Sequence, residues 1–192
     1  MCITVSEVPL IVFQNYNDEG NKISGDKFGS GGFYSSKLEK AEGYGEVWEI
    51  VKDTVKNSLG KYRVGMMLFL DDLSLNLGAY HPVGTNNIVL NKTLVKIVEA
   101  TVKSKLEVNA FIYSLLVHEY VHALGYLSED EARRLVHQIS RCSFGERHLV
   151  TRLAEKSPWS LLKEVPINSL RSPKSAMQIV KDFEKPNQDY VV

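Results

Sequence analysis

The most continuous apolar pattern in the chain runs from Val108 to Leu124, where Phe111, Ile112, Leu115, Leu116, Val121 and Leu124 leave little polar face to a helix. A helix apolar on nearly every side belongs inside a core. Gly125 follows, a residue suited to the positive φ that ends a helix. Ahead of it, Ser36 to Leu59 carries Leu38, Trp48, Ile50, Val51, Val55 and Leu59 at helical spacing before Gly60, although Gly43 and Gly45 weaken its first half. Tyr62 to Leu70 is a short apolar run with turn-rich flanks, which predicts a strand buried on both faces. Gly78 to Asn91 divides into two extended segments around Pro82, Gly84 and Asn86-Asn87, with Asn91 or Thr93 opening a helix through Val102.

Beyond the central helix, Ser128-Glu129-Asp130-Glu131 predicts a capping box, and Ala132, Leu135, Val136 and Ile139 form the buried side of the helix it starts. His148 to Leu153 again has helical spacing, and Trp159 with Leu161-Leu162 is expected to dock on the domain. The ends are less regular. Val8 to Phe13 reads as a short strand limited to an edge or strand start by Pro9. Asn15 to Gly32 reads as a loop, and 1–34 as an irregular N-terminal segment. Residues 166–192 are expected to form a loosely attached tail with one helical piece, Ala176 to Phe183. Asp71-Asp72 reads as a turn or helix cap, because adjacent strand residues point to opposite faces and cannot share one task.

At 192 residues the chain is large enough for one domain with its own core, assigned to 1–165. Lysines plus arginines equal aspartates plus glutamates at 23 each, so charge offers no argument for a nucleic-acid or anionic-membrane partner. Cys2 and Cys142 are not spaced as a metal pair, and such sparse use fits a reducing compartment. With no basic leader and no 18-residue apolar run, the expected location is cytoplasmic. Oligomeric state has no signature in the sequence.

Candidate chemistry changes the picture at one place, His118-Glu119-Tyr120-Val121-His122 on the core helix. Side chains at i and i+4 stack on one side of a helix, so both imidazoles reach one zinc ion. Burying two histidines and a glutamate unpartnered costs on the order of 2 kcal/mol per group, which a metal offsets. Glu119 is then placed to act as general base.

These residues resemble the HExxH signature of the zincin metallopeptidases. The resemblance covers this helix and, more loosely, the strand region before it. It implies an α+β fold in which a small mixed sheet with an edge strand packs on a backing helix and on the HExxH helix. An extended peptide or protein substrate would add to the edge strand. It further implies one Zn2+ held by His118, His122 and a third group, with Glu119 as catalytic base of a probable endopeptidase. In the metzincin branch the third ligand is a histidine where this chain has Ser128, a departure that favours a glutamate-type or SprT-like arrangement. His148 is the first choice for that ligand, ahead of Glu131 or Glu129, with His137 or water last. His81 reads as a turn residue that could alternatively orient substrate. A zinc-stabilised binding or regulatory protein without catalysis is the other reading of the same scaffold.

Overall fold

The computed structural model describes residues 30–166 and 176–184. The strand expected at Val8 to Phe13 lies outside them. The described chain is mixed α+β, with six α-helices and a four-stranded mixed sheet. The elements run α1 (Ser30–Lys40), α2 (Tyr44–Leu59), β1 (Met67–Asp71), β2 (Ala79–Tyr80), β3 (Asn87–Asn91), α3 (Lys92–Thr101), α4 (Lys105–Ala123), α5 (Glu129–Phe144) and α6 (Leu149–Lys156). A 3-10 helix at Pro158–Leu162 and β4 (Gln178–Ile179) complete them.

The helix expected from Ser36 to Leu59 is two helices, broken at Gly43, whose φ of 86° no other residue adopts cheaply. The first begins at Ser30, so Ser30–Tyr34 are helical rather than irregular. Strand β1 is also shorter than expected and buried chiefly on one face, with Leu68 enclosed and Met67 exposed. The central helix begins at Lys105 because Ser104 and Glu107 form a reciprocal capping box there. The box expected at Ser128 does not form: Ser128 is the N-cap of α5 without a side-chain bond.

Sheet order is β2-β3-β1-β4, with β1 and β3 parallel and both outer strands antiparallel to their neighbours. Leu68, Ile88, Leu90 and Ala79 share the inner face, and all are buried. Helix α4 is the hub, touching every other α-helix as well as β2 and β3. Its burial from Asn109 to Val117 follows from the all-round apolar pattern. Trp48 is fully buried against Tyr120.

Asn91 caps α3 as expected, its Oδ1 accepting from the Thr93 and Leu94 amides. Asp72 serves the same end of that helix: Oδ1 accepts from the Thr93 hydroxyl at 2.6 Å, and Oδ2 lies 3.4 Å from Lys92 Nζ. The piece expected to be helical at Ala176 to Phe183 is not. It contributes β4 to the sheet, and Phe183 stacks on Trp48 with 4.8 Å between ring centres. An extended course is what lets Val180 N–H donate to Leu68 O at 2.9 Å while Glu184 accepts from Met66 N–H. This segment lies on the sheet edge opposite β2. No helix of the described residues is long and apolar enough to cross a membrane.

Candidate metal centre

Helix α4 sets His118 and His122 one above the other, with ring centres 4.7 Å apart and Nε2 atoms 3.1 Å apart. After Ala123 the chain reverses quickly. Gly125 takes φ 99°, and α5 begins at Glu129, only seven residues beyond His122. The turn aims Glu129 back at the histidines: Oε1 is 3.2 Å from His122 Nε2, and Oε2 is 3.4 Å from His118 Nε2.

Those three separations carry chemical information. Donor atoms at 2.0–2.1 Å from one tetrahedral zinc ion stand about 3.3 Å from each other, the edge of the tetrahedron. The histidine pair matches that edge, and with one carboxylate oxygen of Glu129 the three donors lie within 4.8 Å of one another, a set that could hold a single ion. His122 is also oriented for it. Its Nδ1 lies 2.8 Å from Tyr126 O, so the proton sits on Nδ1 and the Nε2 lone pair is left for a metal.

Electrostatics act in the same direction. Burial, then the neighbouring His122, holds His118 below the usual imidazole range, while Glu129 opposes the shift. Glu129 is drawn both ways. Its partial burial pulls the carboxyl up, but His118, His122, a hydrogen bond to His122 and Arg133 together bring it below the ordinary value. A neutral imidazole and an ionised carboxylate are the ligand forms that zinc requires.

Glu119 is buried beside His118, facing the same cavity. Burial pushes its carboxyl up to about 7; His122 opposes this, Glu129 adds to it, and a backbone hydrogen bond from His81 opposes it. That backbone contact is what His81 supplies here. Its ring turns to the Asn87 carbonyl, 2.9 Å from Nδ1, as befits a turn residue.

His148 is not in the group. It is the N-cap of α6: Nδ1 accepts from Val150 N–H at 3.2 Å, Nε2 is 3.0 Å from Ser35 Oγ, and the ring stacks on Phe144 at 4.9 Å. Gly145, at φ 87°, turns the chain into α6, where His148 serves the helix N-terminus rather than the histidine pair. Glu131 and His137 also lie outside the cluster. Glu129 completes the group, although in sequence its place in the first turn of α5 is equally explained by helix capping and the dipole. The pointer was its place one residue past Ser128, just after a glycine turn. No protein-family model matches the sequence, and no curated protein or solved structure matches it.

Proposed function

We propose that this protein is a zinc-dependent peptidase of zincin type, with His118, His122 and Glu129 as metal ligands and Glu119 as general base. The observation that carries the reading is the convergence of two Nε2 atoms and one carboxylate at 3.1–3.4 Å, with a second, buried carboxylate next to them. Exposed ion pairs rarely combine two histidines, a carboxylate and a buried acid with a raised pKa in one cleft. The short β2 at the sheet edge, leading into Tyr80 and His81 beside Glu119, supports an extended substrate alongside the site. One feature departs from the glutamate-type zincins. Their third ligand lies farther along the chain from the motif, so Glu129 makes a tighter version of that arrangement.

When bound, zinc would supply Lewis acidity, polarising the scissile carbonyl and acidifying an adjacent water. The chain's own residues do the rest. Glu119, ionised, takes the proton of the attacking water and returns it to the leaving amine. A carboxyl with its affinity for protons raised toward neutrality is suited to both halves of that transfer. His81 N–H keeps the carboxylate aimed into the cleft, and Tyr126 O keeps His122 from rotating away. Stoichiometric zinc in the purified protein, and casein cleavage that disappears in Glu119→Gln while the metal stays, is the expected result. Zinc binding with no cleavage of diverse peptides would instead assign the scaffold a binding role.

A further inference from the structure

Tyr120 stands between His118 and His122 in the chain but, at about 100° per residue, on the opposite side of α4. It is fully buried against Trp48, and its hydroxyl bonds twice to one residue of the segment that joins α2 to β1. The oxygen accepts from Arg63 N–H at 2.7 Å, and the proton goes to Arg63 O at 3.0 Å. The same residue reaches the end of the helix. Arg63 Nη1 donates to Ala123 O at 2.6 Å, the carbonyl next after that of His122.

The turn itself satisfies the carbonyls around this one. Leu124 N–H donates to Tyr120 O at 3.0 Å, Gly125 N–H to His122 O at 2.9 Å and Tyr126 N–H to Val121 O at 3.3 Å. A guanidinium on Ala123 O answers the negative end of the helix dipole, and a charge-assisted bond is stronger than a neutral one. Two residues before Arg63, Lys61 Nζ lies 4.5 Å from the centre of the Tyr126 ring. Lys61 and Arg63 therefore grip the turn at both of its ends, Tyr126 and Ala123.

That turn carries the contact that orients His122. Nδ1 of His122 meets Tyr126 O at 2.8 Å, and Glu129 follows three residues later. Gly125 lies between the two gripped residues, and a glycine left to itself has many conformations open to it. The position of the Tyr126 carbonyl, and with it the tautomer of His122, thus depends on what holds the turn from outside. We propose that Arg63, assisted by Lys61, is a positioning residue for the metal centre. It anchors the α4–α5 turn so that Tyr126 O keeps the His122 proton on Nδ1 and Nε2 faces His118 and Glu129. The metal-centre reading enters only in the use made of Nε2, because the clamp belongs to the metal-free chain.

Arg63→Met keeps the alkyl stem and removes the donor, whereas Arg63→Lys restores one donor. In zinc-free protein at about pH 8, where imidazoles are neutral, long-range 1H–15N spectra read the tautomer of His122. The ring should be fixed as Nδ1–H in the unsubstituted chain and in Arg63→Lys, and averaged between tautomers in Arg63→Met. In chelator competition, zinc affinity should be about tenfold weaker in Arg63→Met and within about threefold of the unsubstituted value in Arg63→Lys, as when a ligand loses or keeps its orienting partner. Lys61→Ala, at an exposed position that does not endanger folding, should weaken it by up to about fivefold. A lower Tm in Arg63→Met with tautomer and affinity unchanged would make the clamp merely structural and overturn the proposal. A tautomer change with zinc bound by none of the forms leaves the clamp standing and removes the metal reading. Zinc bound equally by all forms, with His122 on Nδ1–H throughout, overturns the clamp while the metal reading survives.

Discussion

Glu129 Oε1 lies 3.2 Å from Nε2 of His122, although the two residues belong to different helices. That contact joins the end of α4 to the start of α5 and turns a pair of helical histidines into a three-donor cluster. Glu129 is itself largely exposed, so it meets the histidines at the open side of the cleft.

Metal affinity should follow Glu129 and ignore His148. Glu129→Gln is expected to weaken zinc binding by at least tenfold, in line with the loss of an anionic ligand. His148→Asn should bind zinc as the unsubstituted protein does. Competition titration with a chromogenic chelator measures both, and equal affinities in the two variants would reject the ligand assignment.

Catalysis should separate from binding at Glu119. Glu119→Gln preserves shape and removes the proton acceptor, so peptide hydrolysis should fall by about 10²–10⁴ while zinc content stays at one per chain. Retained turnover in that variant would assign the base to another group.

Acid stability should depend on His148. Burial, then the charge of Arg152, holds its ring below the ordinary 6.5. The unfolded chain therefore takes up this proton first as pH falls from about 6.5, and stability declines through that range down to the folded-state value. Protonation also removes the Nδ1 lone pair that accepts from Val150 N–H. His148→Asn keeps a capping acceptor without a titrating ring, so its Tm should fall less steeply as pH drops below about 6.5. Parallel Tm–pH slopes would show that the ring contributes nothing there.

The C-terminal strap should be a stability element. Phe183 is buried against Trp48, and Glu184 accepts from Met66 N–H while meeting Lys52 Nζ at 3.3 Å. Phe183→Ala should cost about 3–5 kcal/mol in denaturant unfolding and shift the emission of Trp48. Zinc affinity should not change, because the strap lies on the sheet edge remote from β2.

Patterns with a short period were legible in the residues alone. The apolar cylinder around Leu115 and Leu116, the His118–His122 pair, the Asn91 cap and the glycine stop at Gly125 are all local, and each formed where expected. Where local signals competed, the sequence misled. Ala176 to Phe183 has the composition of a helix, yet Leu68 O and the face of Trp48 offer it partners only as an extended chain. His148 follows a glycine turn as a returning ligand would, but the same turn makes it a cap for α6.

Sequence alone determined that two imidazoles and a carboxyl share a buried helical turn, because that spacing is a property of any helix. Only the tertiary structure decided which third donor meets them and what lines the cleft beside them. Both depend on the angle at which α5 leaves Gly125 and on where Trp159 comes to rest over Gly78. Packing among distant segments sets those positions, and neighbouring residues do not encode it.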